Sequence, residues 1–202
     1  VGGIFMKKKM WGLFLLLFIL SACQAKEEIN LDDVFNMKFQ VRELEGINEQ
    51  GATFNTSDLK GEVWLANFIF TNCDTVCPPM TANMARVQRH LKEVGLEDVR
   101  IVSFSIDPDH DTPDKLIEYG NLFDADFSKW DFITGYTQPE IEQFANISFL
   151  VPAAKIEGSN QFTHTTAMYL IDKDGFARES YSGIDLEVEL IEEGIKKIKE
   201  NS

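Results

Sequence analysis

Residues 62–70 read Glu-Val-Trp-Leu-Ala-Asn-Phe-Ile-Phe, apolar at almost every position. A strand with one wet face would alternate apolar and polar residues. A continuous run rich in β-branched and aromatic side chains is instead a strand covered on both faces. Pro78 and Pro79 follow shortly, and Met80, Met84, Val87 and Leu91 then recur at helical spacing. Proline is favoured in the first turn of a helix, so a buried strand passes directly into a helix here. The short join carries Cys73-Asp74-Thr75-Val76-Cys77.

The remaining chain repeats this alternation. A second buried strand is predicted at 99–106, and a helix at 112–123 with Thr112 as cap and Pro113 in its first turn. A short strand follows at 130–134. Thr137 caps another helix, with Pro139 in its first turn, running to about residue 145. Strands at 167–171 and 176–180 form a hairpin around Asp172-Lys173-Asp174-Gly175, and 186–199 is an amphipathic closing helix with Lys196, Lys197 and Lys199 in its last turns. Ahead of all these, 38–44 and 52–55 read as a hairpin around Glu49-Gln50-Gly51. From residue 62 the order is β-α-β-α-β-α-β-β-α. This is an α/β layer structure with a mixed central sheet. It fits a thioredoxin-like fold with an N-terminal hairpin extension and a β-α insertion.

The N-terminus points to export. Lys7, Lys8 and Lys9 precede an apolar run at 10–20, followed by Leu20-Ser21-Ala22-Cys23. Charge, a short apolar stretch and small residues form a signal peptide, and the run is shorter than the ~20 residues that cross a bilayer. The Leu-Ser-Ala-Cys ending resembles a bacterial lipobox, which would make Cys23 the lipidated first residue of the mature protein. Met6 reads as a natural start, with residues 1–5 an upstream extension or a misjudged start. The expected organisation is a signal peptide at 1–22, a lipid-anchor tether at 23–35 and one domain at 36–202. The expected location is the extracytoplasmic face of a bacterial cell membrane. The chain carries a net charge of −14, and the excised segment removes three lysines and no acids. Such an acidic surface argues against nucleic acid, whose phosphates demand a basic face.

If Cys23 carries lipid, Cys73 and Cys77 remain as one pair. In an exported protein such a pair is a disulfide, a redox dithiol or a metal site. Its place at a helix N-terminus matters more than its spacing, because unpaired backbone N–H groups and the positive dipole end favour thiolate. Two thiolates are soft ligands, suited to copper or zinc. Structural zinc usually takes four protein ligands. Beyond the pair the chain offers only His90, His110 and His164. His164 is the best third ligand, because in a thioredoxin-like fold the loop before the strand at 167–171 faces the dithiol. A two-sulfur, one-nitrogen set suits copper better than structural zinc. His90 reads as a surface residue on the helix. His110 follows a buried strand and ranks below His164.

At these positions the chain resembles the Sco/SenC family of copper-handling, thioredoxin-fold proteins. Cys73-x-x-x-Cys77-Pro78 matches the family's copper and redox motif. Ser105-Ile106-Asp107-Pro108 followed by Asp111-Thr112-Pro113 matches its Asp-Pro loop, and His164 matches its ligand histidine. His110 departs from the family, which commonly places Arg there. Asp107 is either an outer ligand or hydrogen-bond partner of the site, or a turn-forming Asp before Pro. The resemblance implies a copper metallochaperone or thiol–disulfide reductant, Cu(I) or Cu(II) as its cargo, and a role in assembling the binuclear copper centre of cytochrome c oxidase subunit II. It also implies a thiol reductant or copper donor protein as a further partner. The alternative is a thiol–disulfide oxidoreductase or redox sensor without metal delivery. Against a peroxidase, Phe68-Ile69-Phe70-Thr71-Asn72 lacks the peroxiredoxin pattern before Cys73. Against a plain thioredoxin, His164-Thr165-Thr166 stands where that family places Pro.

Overall fold

The apolar run at 62–70 becomes a central strand of an eight-stranded sheet, and all six of its strand residues are buried. The structure is a computed structural model and describes residues 30–73, 75–159, 161–163 and 165–201. In chain order, a single-turn helix α1 (Leu31–Val34) leads to β1 (Phe39–Gln40) and the hairpin of β2 (Glu45–Asn48) and β3 (Thr53–Asn55). A 3-10 turn (Thr56–Leu59) then enters the central strand β4 (Trp64–Ile69). There follow α2 (Cys77–Glu93), β5 (Arg100–Ser105), α3 (Pro113–Asn121), β6 (Trp130–Thr134) and α4 (Gln138–Phe149). A small pair, β7 (Ala154–Lys155) and β8 (Phe162–Thr163), precedes the hairpin β9 (Ala167–Ile171) and β10 (Phe176–Ser182). The chain closes with α5 (Val188–Asn201).

The strand order is β1-β10-β9-β4-β5-β6-β2-β3. β4, β5 and β6 are parallel, and every other pairing in the sheet is antiparallel. Strand alternation sends Ala66, Phe68, Val102 and Phe104 to one face, where Ile141, Phe144 and Phe149 of α4 cover them. The Phe104 and Phe144 rings lie 5.0 Å apart, and Phe68 meets Phe149 edge-on at 5.4 Å. Leu65, Ile69 and Ile101 face the other way, beneath Met80, Met84 and Val87 of α2 and Ile191, Ile195 and Ile198 of α5. One polar chain crosses the middle of the sheet. Trp130 Nε1 donates to Ser103 Oγ at 2.9 Å, and Ser103 Oγ donates to Asn67 Oδ1 at 2.6 Å. These two bonds link β6, β5 and β4 through buried side chains and leave the Asn67 amide nitrogen without a partner among the described residues.

The helix starts follow the sequence signals. Thr112 precedes Pro113 at the head of α3, and Thr137 and Glu140 form a reciprocal capping box on α4. α4 runs to Phe149, four residues past its expected end, and stops on Leu150 in a left-handed conformation (φ 56°). No glycine marks that stop.

Two expectations at the N-terminus change. The first is the predicted 38–44 strand. Phe39 and Gln40 pair with Ala177 and Phe176 at one edge of the sheet, while the hairpin partner of β3 is β2, near the other edge. Residues between them cross the sheet end on side-chain bonds. Arg42 N–H donates to Ser148 Oγ and Leu44 N–H to Thr56 Oγ1. The second concerns the tether expected at 23–35, whose last residues are packed. Leu31 and Phe35 are buried in the α2–α5 side of the core, and Arg178 ties Asp32 to Asp172 at 2.5 Å each.

Candidate dithiol and metal site

The parallel ladder between β4 and β5 ends with Ile106 N–H donating to the Ile69 carbonyl at 2.9 Å. Beyond it β5 turns away at Asp107-Pro108, and the next amide of the β4 segment, that of Thr71, has no strand carbonyl to meet. The carboxylate of Asp111 takes it instead. Asp111 accepts from Thr71 N–H at 3.1 Å, Thr71 Oγ1 at 2.6 Å and Ser105 Oγ at 2.6 Å. Asp111 is fully buried. Burial pushes its carboxyl above the ordinary range, against the hydrogen bonds from Ser105 and Thr71.

The chain then turns, with Cys73 N–H donating to the Phe70 carbonyl at 3.3 Å, and enters α2 at Cys77. Val76 is the N-cap and its side chain cannot accept a hydrogen bond. The sulfur of Cys73 does so, accepting from Cys77 N–H at 3.4 Å, with Thr75 Oγ1 at 3.8 Å. Pro78 and Pro79 occupy positions where a helix needs no N–H. Both cysteines are thiols and buried, at 5 % exposure for Cys73 and 0 % for Cys77.

The fold makes the two thiols unequal. For Cys73, burial works against ionisation, but the bonds from the Cys77 thiol and amide and from Thr75 outweigh it and hold the thiol below its ordinary range. Burial pushes the Cys77 thiol well up, and its bond to Cys73 adds to the rise. Cys73 is therefore the more readily ionised of the two, and Cys77 the one that keeps its proton. Behind them Thr81, one turn along α2 from Cys77, shares a 2.7 Å hydrogen bond with the buried Tyr119 hydroxyl.

Cys23 and His164 lie outside the described residues. The segment leading to His164 is anchored, since Phe162 packs its ring 5.2 Å from that of Phe70, three residues before Cys73. On the other side, Ala167 N–H donates to Thr165 Oγ1 at 3.1 Å. Among the described residues no group of three or more His, Cys, Asp or Glu side chains could hold a metal ion. Asp107 is buried and forms a turn, its carbonyl accepting from His110 and Asp111 N–H and its own N–H donating to Ser105 Oγ. His110 has Lys115 Nζ 3.2 Å from each ring nitrogen, a poor setting for a second cation. His90, expected at the surface, is half-buried and joins α2 to α5 through Glu192 at 2.6 Å. Asp111 was legible only as part of the Asp-Pro motif. Nothing in the sequence marked it as the acceptor for the cysteine loop.

A mixed sheet carrying a buried dithiol at a strand–helix join defines a thioredoxin-like protein. The chain belongs to the SCO1/SenC family, whose model matches residues 35–200. It is 42 % identical over 173 residues to the SCO1 protein homolog of Bacillus subtilis (strain 168), covering 86 % of this chain and 85 % of that one. A SCO1/SenC family lipoprotein from Bacillus anthracis str. Ames is 42 % identical, with a TM-score of 0.77 over 82 % of this chain and 99 % of that one. BsSco has the same identity and a TM-score of 0.72 over 81 % and 94 %, and its structure is described as identifying a disulfide switch in a member of the Sco family of cytochrome c oxidase assembly proteins. Arabidopsis thaliana ScoI, solved with copper bound, is 25 % identical with a TM-score of 0.63 over 79 % and 96 %.

Proposed function

We propose that this protein handles copper and thiols in assembling the binuclear copper centre of cytochrome c oxidase, with Cys73, Cys77 and His164 as its working residues. The observation that carries this reading is the buried thiol pair at the head of α2, with the Cys73 sulfur accepting from Cys77 N–H at 3.4 Å. The donor set fits copper, because two soft sulfurs and one imidazole suit that metal. The copper-bound ScoI and the assembly-family membership of BsSco support the same assignment. Copper is here the cargo, and the chain's part is to hold both sulfurs ready and to place His164 as a third donor. The lipobox reading of Cys23 anchors the domain at the extracytoplasmic membrane face, behind a signal peptide at 1–22. Among the described residues no helix is long and apolar enough to cross a membrane.

The inequality of the thiols also supports reduction of the oxidase's own cysteines. The Cys73 thiolate attacks a disulfide sulfur in the target, forming a mixed disulfide and releasing one target thiolate. Cys77 then passes its proton to the released target thiolate and attacks the Cys73 sulfur. The Cys73–Cys77 disulfide closes, the second target thiolate leaves, and two electrons have passed to the target.

Cells lacking the protein should be short of assembled cytochrome c oxidase, and added copper should at least partly restore it. Cys73→Ser and Cys77→Ser should each reproduce the loss. Rescue by copper alone supports delivery, and rescue by a thiol reductant alone supports reduction of the target. Normal oxidase activity in the deletion strain, in growth that requires that oxidase, would overturn the assembly role.

A further inference from the structure

We infer that Asp111 is a positioning residue for the dithiol, acting as a buried clamp between the cysteine loop and the Asp-Pro loop. The inference rests on the reading of Cys73 and Cys77 as a working thiol pair, and it adds a residue to that reading. Three observations carry it. The β4–β5 ladder has ended where Thr71 emerges, so the loop toward Cys73 is no longer held by strand pairing. Asp111 supplies the missing acceptor, binding both the amide and the hydroxyl of Thr71, two residues before Cys73. The same carboxylate accepts from Ser105 Oγ, which itself accepts from Asp107 N–H at 3.1 Å.

One fully buried carboxylate thus joins the end of β4, the end of β5 and the turn into α3. Burying a carboxylate is costly unless its lone pairs are taken up, so this arrangement locks all its partners together. The Cys73 sulfur reaches the Cys77 N–H only while the intervening loop keeps its path, and Thr71 is where that path begins. Loosening the clamp spreads the positions open to Cys73. That lowers the effective concentration of one thiol at the other and weakens disulfide closure.

The test is the equilibrium of the purified domain with glutathione. Two protein thiols become the Cys73–Cys77 disulfide as one glutathione disulfide becomes two glutathione thiols. Asp111→Ala should shift this equilibrium toward the dithiol by about tenfold, roughly the effect of a lost hydrogen bond to a charged group. Asp111→Asn, which keeps a carbonyl for Thr71 N–H, should recover most of the wild-type value. Thr71→Val, which removes only the hydroxyl donor, should shift it in the same direction by a smaller factor. That variant carries the test if Asp111→Ala does not fold. If Asn behaves like Ala, the charge matters and not the position, and the inference fails. It fails equally if neither Asp111→Ala nor Thr71→Val moves the equilibrium. A wild-type protein that never closes Cys73–Cys77 would instead overturn the thiol half of the proposed function, a result distinct from either.

Discussion

Cys73 and Cys77 are one chemical group four residues apart, and their surroundings give them opposite acid–base character. The Cys77 thiol and amide both donate toward the Cys73 sulfur, so the thiolate forms below the ordinary thiol range. Because the shift is downward, Cys73 reactivity appears at a lower pH than that of a free cysteine. Cys77→Ala removes the thiol donor but leaves the amide. A hydrogen bond of about 1 kcal/mol moves such an equilibrium roughly fivefold. Alkylation of Cys73 in this variant should therefore slow several-fold at neutral pH and return to the wild-type rate well above the thiol range. A rate unchanged across pH would remove Cys77 as the cause of the asymmetry. The sequence placed both sulfurs at a helix start, where thiolate is favoured. It could not show which sulfur the helix amide would meet, since that depends on the path through 71–76.

Among the elements, the join between β10 and α5 bears on the site through packing. Gly183 N–H donates to the Thr166 carbonyl at 2.8 Å, and Asn83 of α2 donates to the carbonyls of Gly183 and Ile184 at 2.9 Å each. A β-carbon at Gly183 would lie 2.3 Å from the Thr166 oxygen and 2.7 Å from Met80 Cγ. Gly183→Ala must therefore push apart α2 and the segment two residues from His164. Overpacking of this kind costs about 1–3 kcal/mol, or several degrees in Tm. Copper affinity should fall with it, more than in an equally destabilised variant on the far side of the sheet. Wild-type Tm and copper binding would show that the contact relaxes at no cost. The alternation of elements from β4 onward was readable because buried strands and proline-led helices carry strong local signals. The pairing of Phe39–Gln40 with β10 was not, and neither was the two-residue β7–β8 pair. Such short strands have no periodicity, and only partners more than a hundred residues away define the first of them.

For the whole molecule, the expected anchor and the dithiol lie on different parts of the chain. The folded body begins by Leu31, where Leu31 and Phe35 enter the core and Arg178 holds Asp32. That leaves a short stretch after Cys23 as the expected tether. Cys23→Ala should leave the membrane fraction or remain as an unprocessed precursor, while the domain keeps its fold and its thiol chemistry. A variant that is processed and membrane-bound like the wild type would exclude the lipobox reading.

Copper titration of the reduced protein, followed by metal analysis and absorption spectroscopy, decides the copper assignment. The wild type should take up one copper per chain and, with Cu(II), show sulfur-to-copper charge-transfer absorption. Cys73→Ser and Cys77→Ser should each abolish that absorption. His164→Ala should still form the Cys73–Cys77 disulfide while losing much of its Cu(II) affinity, because one of three donors is gone. Unchanged copper uptake in the two cysteine variants would contradict the copper assignment outright. Unchanged titration and spectra in His164→Ala would remove His164 from the site and leave a thiol oxidoreductase of the same fold.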